Sequence, residues 1–157
     1  MQLSTETEAD WWEVEALFDL CFAPGREALS SYRLRDGVPP TARMCMVLRD
    51  EDGVLAAAIR AWPVRIGPHP ACLLGPVAVH PTRQGEGLGG FLVREVIHRA
   101  GETGPARVLL VGDAPYYARF GFSRLDGVVM PPPTNPDRVL GFGDWDGICG
   151  PVTRAQD

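Results

Sequence analysis

The sequence predicts an α/β fold with one mixed sheet and helices on both faces. Three observations lead to this prediction. Asp52-Gly53 separates two strand-like segments in the manner of a β-hairpin. A stripe of apolar residues at helical spacing runs from Leu88 to Ala100. The short, wholly apolar run 108–111 that follows is typical of a strand buried on both faces.

The first part of the chain predicts two helices. Thr7 can cap the first one, with Asp10 three residues later in a capping-box arrangement. The apolar stripe of this helix consists of Trp11, Val14, Leu17, Phe18 and Cys21. Pro24-Gly25 should end it, and residues 27–35 predict a second, shorter helix.

Three strands are predicted next. Residues 44–49 and 54–62 pair across the hairpin, and Pro63 should end the second of these strands. Residues 71–79 predict the third strand. Gly75-Pro76 lies in its middle, and because proline donates no ladder hydrogen bond, we expect a bulge there.

The remaining elements become harder to read toward the end of the chain. The helix that starts at Leu88 should end near Gly101, and a short helix is predicted over 115–120. A strand should begin at Phe122. Beyond about residue 127 the chain is rich in proline and glycine, so we expect one domain over 1–157 with a loop-rich tail.

Bulk composition excludes several classes of function. A net charge of −5 over 157 residues argues against a nucleic-acid partner. The sequence shows no secretory signal pattern and no apolar run of about 18 residues, so we expect no membrane association and a cytoplasmic protein. A homodimer stays open. Four isolated cysteines give no metal-ligand spacing, so no metal is expected; they are Cys21, Cys45, Cys72 and Cys149.

A glycine-rich loop, 81–90, lies between a predicted strand and the strong helix. Glycines let the backbone approach a ligand, and a helix start presents unpaired amides, so this place suits a phosphate. One interpretation is a dinucleotide site, because Gly85-x-Gly87-x-x-Gly90 matches G-x-G-x-x-G and Asp113 follows the next strand. Against it, residues 80–84 separate the strand from the first glycine, and no second half of a Rossmann sheet follows.

Two motifs point to another family. Val77-Ala78-Val79-His80-Pro81 followed by Gln84-x-x-Gly87-x-Gly89 resembles the coenzyme A motif (Q/R)-x-x-G-x-(G/A) of GNAT acetyltransferases. Residues 116–122, Tyr-Tyr-Ala-Arg-Phe-Gly-Phe, resemble the Tyr-x-x-x-Gly-Phe signature of the same enzymes. The segment 111–122 is similar to the YhbS-like group in particular. The resemblance covers most of residues 3–130.

The resemblance implies a GNAT fold: a mostly antiparallel, twisted sheet whose fourth and fifth strands splay apart around acetyl-CoA. It implies transfer of the acetyl group directly to an amine, with Tyr117 protonating the leaving thiolate and an amide near Val79 polarising the thioester. The implied coenzyme-binding residues are Val77, Val79, Arg83, Gln84, Gly85, Glu86, Gly87, Leu88, Gly89, Gly90, Asp113 and Tyr117.

Where many relatives carry a basic residue this chain has Glu86, so the phosphates should depend on backbone amides and Arg83. Candidates for the wall of the acceptor pocket are Phe22, Tyr32, Arg33 and Trp62. We expect the acceptor to be a small-molecule or peptide amine, which the sequence does not identify further. No residue can be assigned as the general base from the sequence. A non-catalytic acyl-CoA-binding or regulatory domain is the alternative.

Overall fold

The computed structural model describes residues 1–22, 26 and 29–155, so the predicted helix end at Pro24-Gly25 and the predicted helix start at 27–28 lie outside the described residues. The elements are, in chain order, β1 (Gln2–Thr5), α1 (Trp11–Cys21), α2 (Ser30–Arg33), β2 (Met46–Arg49), β3 (Leu55–Ile66), β4 (His69–Val79), α3 (Leu88–Thr103), β5 (Val108–Val111), α4 (Ala114–Ala118), β6 (Ser123–Arg124), β7 (Val128–Val129), β8 (Val139–Phe142) and β9 (Gly150–Arg154). Short 3-10 turns occur at Glu8–Asp10, Ala42–Met44, Pro81–Arg83 and Pro136–Arg138.

The strands follow the order β1-β2-β3-β4-β5-β8-β6, with β9 beside the end of β3 and β7 beside β9. β4 with β5 and β7 with β9 are parallel, and the other described pairs are antiparallel. This confirms the mixed, mostly antiparallel sheet. The parallel β4-α3-β5 unit also explains the match to the dinucleotide fingerprint, because a Rossmann unit contains the same local arrangement. Antiparallel neighbours on both sides of that unit exclude a Rossmann sheet.

The helices α1 and α3 cover opposite faces of the sheet. Leu17 and Phe18 of α1 lie in a buried cluster with Ala58 of β3. Leu92 of α3 lies in a different buried cluster, with Ile59. Ala58 and Ile59 are consecutive in a strand and therefore point to opposite faces. Helices on both faces are thus confirmed, and among the helices described none is long and apolar enough to cross a bilayer.

β3 continues through Pro63, so the predicted break there is wrong. Pro63 is paired with Cys72 of β4, and the Cys72 amide donates to the Arg107 carbonyl at 2.9 Å rather than to β3. Residues directly opposite in an antiparallel pair exchange both hydrogen bonds or neither. The nitrogen of Pro63 therefore faces away from β4, and its missing N–H costs no hydrogen bond between the two strands.

Two boundaries also differ from prediction. α3 runs past Gly101 to Thr103, and Gly104 ends it with its amide donating to the Ala100 carbonyl at 2.7 Å. The segment beyond 127, predicted to be rich in loops, also contains β7, β8 and β9. β8 pairs with β5 on the side away from β4, so β5 is an interior strand. Its first three residues are buried as the apolar sequence predicted, whereas Val111 at its end is exposed.

The strands β4 and β5 diverge, as the family resemblance implied. They pair at Cys72 with Val108 and at Leu73 with Leu109, and separate beyond. On its other side, β4 contains one more residue than β3 between two successive register positions. This irregularity is the predicted bulge at Gly75-Pro76, and it turns the end of β4 away from β5.

Candidate active site

A cavity of about 390 Å³ lies in the gap between β4 and β5. Residues 74–77 of β4 line it on one side, and residues 110–113 line it from the end of β5. Tyr116 and Tyr117 of α4 also line it. The other described lining residues are Leu73, Phe22, Arg26, Leu29, Ser31, Tyr32 and Arg138.

Hydrogen-bond alternation directs the backbone of Val77 and Val79 into this gap. The His80 amide donates to the carbonyl of Ala56, its opposite residue in β3, at 2.8 Å. Bonded and non-bonded pairs alternate along an antiparallel ladder, so Val79 and Val77 point their N–H and C=O groups away from β3. Because β5 has diverged on that side, an extended ligand could bond there as an additional strand.

The start of α3 presents free amides. Gly87 is its N-cap residue, with φ 77°, a left-handed conformation that favours glycine and leaves no side chain to cap the helix. The Phe91 amide donates to the Gly87 carbonyl at 3.0 Å and makes the first bond of the helix. Three earlier amides have no partner within the helix: those of Leu88, Gly89 and Gly90. Together with the helix dipole they suit an anion.

The side chains of Gln84 and Arg83, just before this turn, stabilise the loop and are not free to bind a ligand. The Gln84 side-chain amide donates to the Val79 carbonyl at 2.9 Å and ties the loop to the end of β4. The Arg83 guanidinium pairs with Glu86 at 2.9 Å and with Asp50 at 3.4 Å. Its charge is therefore matched by two carboxylates, whereas the sequence led us to expect that Arg83 would replace a missing phosphate ligand.

Two other arginines stand beside the start of α3. Arg94 Nη1 lies 3.5 Å from the position that a Cβ on Gly90 would take, and its guanidinium lies 4.8 Å from the Phe120 ring centre. Arg119 lies 4.7 Å from the ring centre of Tyr116. In the part of the chain that the structure describes, neither arginine has an ion-pair or hydrogen-bond partner. Neither arginine lines the cavity; each guanidinium lies over a ring, Phe120 or Tyr116, that approaches the first turn of α3.

Tyr117 lines the cavity and is half-buried. Its ring packs against Tyr116 at 4.9 Å and Phe122 at 5.9 Å between ring centres. Burial raises the pKa of the Tyr117 hydroxyl to about 12, and the neighbouring Tyr116 adds to the rise. The hydroxyl has no hydrogen-bond partner among the described residues. It therefore stays protonated at neutral pH and is free to donate to a ligand.

The glycine that follows β5 makes room for this tyrosine. A Cβ on Gly112 would lie 2.5 Å from Cε2 of Tyr117 and 3.0 Å from Cδ1 of Leu110. No side chain can therefore occupy position 112 while Tyr117 keeps its place. The sequence analysis passed over Gly112, although its position directly after a buried strand and before the tyrosine signature could have drawn attention to it.

Asp113 and Tyr116 have local structural roles as well as facing the cavity. Asp113 is the N-cap of α4, and its Oδ2 accepts from the Tyr116 amide at 3.2 Å. The Tyr116 hydroxyl lies 3.9 Å from the position of a Cβ on Gly89. Tyr116 thus reaches from the cavity to the first turn of α3.

The predicted acceptor residues fall into two groups. Phe22 and Tyr32 line the cavity. Arg33 is exposed, and Trp62 is buried outside the cavity, with its Nε1 donating to the Val38 carbonyl at 3.0 Å. The guanidinium of Arg35 lies between the rings of Tyr32 and Trp62, at 3.8 and 3.7 Å. Trp62 therefore supports the pocket wall from behind.

Arg35 also contacts the bulge itself. Its Nη2 donates to the Gly75 carbonyl at 3.2 Å. This contact joins the segment after α1 to the irregular part of β4, so the wall formed by Tyr32 and the diverging strand are fixed to each other.

Glu15 bridges two arginines next to the cavity. Its Oε1 accepts from Arg26 at 2.8 Å, and its Oε2 accepts from Arg60, which also forms a two-bond pair with Glu6 at 3.0 and 2.8 Å. Burial would raise the pKa of Glu15, but the hydrogen bonds from Arg60 and Arg26 outweigh it and lower the pKa. A carboxylate so stabilised is a weak base. Glu15 is thus a structural ion rather than a general base.

Residues 1–22, 26 and 29–155 contain no group of three or more His, Cys, Asp or Glu side chains that could hold a metal ion. Tyr117 lines the cavity, whereas the free amides at the start of α3 lie outside its lining and are connected to it through Tyr116.

Two solved structures match this architecture over nearly the whole chain. The GNAT family N-acetyltransferase YhbS of Escherichia coli, in complex with CoA, has a TM-score of 0.82 and 26% sequence identity, covering 99% of this chain and 89% of that one. A GNAT family acetyltransferase of Brucella melitensis, in complex with acetyl-CoA, has a TM-score of 0.73 and 31% identity, covering 99% and 96%.

Curated relatives agree with the structures. The uncharacterized N-acetyltransferase YhbS of Escherichia coli strain K12 is 30% identical over 124 residues, which is 78% of this chain and 73% of that protein. The mycothiol acetyltransferase of Nocardia farcinica is 35% identical over 101 residues, but this chain spans only 32% of its length. The family model for the acetyltransferase (GNAT) family matches residues 11–122. The chain belongs to the acetyltransferase (GNAT) family.

Proposed function

We propose that this protein binds acetyl-CoA between β4 and β5 and transfers the acetyl group to the amine of a small molecule or peptide. The observation that carries the proposal is the divergence of β4 and β5. One cavity brings the outward-facing backbone of Val77 together with the free phenol of Tyr117. CoA and acetyl-CoA in the two similar solved structures support the same ligand here.

The residues present fit the coenzyme at both ends. The amides of Leu88, Gly89 and Gly90 would hold the pyrophosphate. Because Arg83 is paired with Glu86 and Asp50, the positive charge near the phosphates would come from Arg94 and Arg119. The Val77 backbone and the Val79 amide would bond the extended arm. We assign the Val79 amide to polarising the thioester carbonyl.

Acetyl-CoA supplies the activated acyl group: the acceptor nitrogen bonds to the acyl carbon, the carbon–sulfur bond breaks, the nitrogen loses a proton and the sulfur gains one. An ordinary thiol has a pKa of about 8.5, whereas that of Tyr117 is raised to about 12. The phenol is thus the weaker acid. Tyr117 donates a hydrogen bond to the sulfur as negative charge develops, and it transfers the proton fully only if its oxygen regains one in the same step.

The alternative is an acyl-CoA-binding domain without turnover. A binding domain has no need of a free phenol at the thioester end, so Tyr117 favours the enzyme. We place the activity in the cytoplasm, which the four free thiols support, since disulfides form mainly in oxidising compartments.

Coenzyme binding is tested by thermal unfolding with acetyl-CoA, CoA, NAD and NADP. At about 100 times its Kd, acetyl-CoA should raise the Tm by about 5–10 °C, and both dinucleotides should leave it unchanged. Release of free thiol in the presence of a panel of amines then tests turnover. A shift with NAD alone would refute the coenzyme assignment, and binding without thiol release for any amine would support the non-catalytic alternative.

A further inference from the structure

The described residues that line the cavity include three charged side chains. They are Arg26, Asp113 and Arg138. Asp113 caps α4, with its Oδ2 accepting from the Tyr116 amide, and its charge adds to the rise in the pKa of Tyr117. The positive charge that the pocket offers a ligand depends on whether each arginine has its own counter-ion.

Arg26 is fully paired. Its Nε donates to Asp19 and its Nη2 to Glu15, each at 2.8 Å, and its Nη1 donates to the Tyr32 hydroxyl at 2.6 Å. Two carboxylates balance its single positive charge. Arg26 thus orients Tyr32 in the wall and leaves no net positive charge to attract a ligand.

The backbone of Arg138 is held in place, whereas its side chain is exposed and has no counter-ion among the described residues. It ends a 3-10 turn that Asn135 caps, and its carbonyl accepts from the Gly112 amide at 2.9 Å. The adjacent carboxylate, Asp137, pairs instead with Arg124 at 3.1 Å. Throughout the described ranges the Arg138 guanidinium has no ion-pair or hydrogen-bond partner.

The position of Arg138 is the thioester end of the cavity. Gly112, which bonds its backbone, is also the residue against which the Tyr117 ring packs. Arg138 and Tyr117 line the same cavity, and the positive charge of Arg138 opposes the rise that burial causes in the pKa of Tyr117. A group bound by Arg138 would therefore lie beside the reacting thioester.

Resting on the proposed function, we propose that Arg138 binds a carboxylate of the acceptor, so that the substrates are small amines that also carry a carboxylate. The guanidinium fork matches a planar carboxylate in two parallel hydrogen bonds. Arg138 would thus select the acceptor by its carboxylate.

The test compares acceptors that differ only in the anionic group. Free α-amino acids, their carboxamides and ethanolamine phosphate are assayed by thiol release with saturating acetyl-CoA. For the wild type, kcat/KM should be at least about 10-fold higher for the best acid than for its amide, as expected for a charge-assisted hydrogen bond. In Arg138→Gln this ratio should fall to about 1, and Arg138→Lys should keep part of it.

Three measurements separate selection from other roles. Arg65→Gln removes the same charge from an exposed position in β3 and should keep the wild-type ratio. The Kd for acetyl-CoA, measured by calorimetry, should be unchanged in Arg138→Gln. The same titration on the CoA complex should show the preferred acid binding to wild type and not to Arg138→Gln.

Each contrary result has a distinct meaning. If thiol release by the wild type is equally fast with acids and amides, the acceptor assignment alone is overturned. The same holds if neither releases thiol although acetyl-CoA binds. A higher rate with ethanolamine phosphate than with any carboxylate overturns the carboxylate. An equal loss for acids and amides in Arg138→Gln shows a role at the thiolate instead. Failure of acetyl-CoA to bind wild type refutes the proposed function itself.

Discussion

The regions proposed to bind the coenzyme and the acceptor, called here the coenzyme end and the acceptor end, are built in opposite ways. At the coenzyme end, residues 84–90 are contiguous, and the groups offered to the ligand are mostly backbone amides at the start of α3. At the acceptor end, the wall is assembled from side chains of two separate segments of the chain: Phe22, Arg26 and Tyr32 from the first, and Arg138 from the second.

This difference decides what each end can recognise. A backbone amide is the same for every residue type, so the coenzyme end depends on conformation, and a few glycines secure it. A wall of side chains can be changed one residue at a time without disturbing the sheet. The same scaffold can therefore keep one acyl donor while its acceptor varies.

The thioester end, where the two regions meet, gives the largest expected effect. Tyr117→Phe should lower kcat by about 10²–10³-fold, because a positioned hydrogen-bond donor to the charge that develops in the reaction contributes about that factor. The Kd for acetyl-CoA should change little, since the ring still fills its space. Steady-state kinetics and calorimetry measure the two quantities separately.

Two further variants test whether the hydroxyl or the packing matters. Tyr116→Phe should cost much less in kcat, so a larger loss there would transfer the acid role to Tyr116. Gly112→Ala should displace the Tyr117 ring and lower kcat, because its Cβ would overlap Cε2. In a Tyr117→Phe background the same change should add little to the kcat loss, and full additivity would mean that Gly112 acts independently of the phenol.

The local features of the fold were readable from the sequence. The Thr7–Asp10 pairing is present, with the Thr7 amide donating to Asp10 Oδ2 at 2.8 Å. The bulge at Gly75-Pro76 and the buried strand β5 also follow from short patterns. Each depends on residues close together in sequence, for which turn chemistry and periodicity suffice.

The features that were missed depend on distant partners. Pro63 stays inside β3 because Cys72 turns its own amide toward Arg107, which no local pattern reveals. The pairing of Arg83 with Asp50 and the exclusion of Trp62 from the cavity have the same cause. Contacts across the sheet decide which side chains are free, and a single sequence does not show those contacts.

A change in backbone conformation alone should weaken acetyl-CoA binding at the coenzyme end. Gly87→Val should weaken acetyl-CoA binding by about 10–100-fold. A β-branched residue is strained at positive φ by about 1–3 kcal/mol, so the free variant leaves this conformation and has to return to it when the coenzyme binds. Gly147 has a similar φ of 74° with no atom near its Cβ position, away from the cavity. Gly147→Val is the matched control and should lower the Tm without changing the Kd. Equal Kd values for wild type and Gly87→Val would disprove our placement of the phosphates.

The smallest expected effect concerns the cations at the coenzyme end. Arg94→Gln should weaken acetyl-CoA binding by about 3–10-fold, and the loss should shrink at high salt, because an exposed charge is screened. Arg99→Gln removes the same charge from a later turn of α3, where Arg99 donates to the Arg43 carbonyl, and should have less effect.

A double variant, Arg83→Gln with Glu86→Gln, removes the neighbouring ion pair without changing the net charge. It should alter the Kd by less than about 2-fold, because the Arg83 guanidinium already has carboxylate partners. If it weakened binding more than Arg94→Gln, Arg83 would be the phosphate ligand that the sequence indicated. If Arg94→Gln and Arg99→Gln behaved alike, no side chain of α3 would contact the phosphates. The coenzyme end would then bind the phosphates through backbone amides alone, whereas the acceptor end would bind its ligand through side chains.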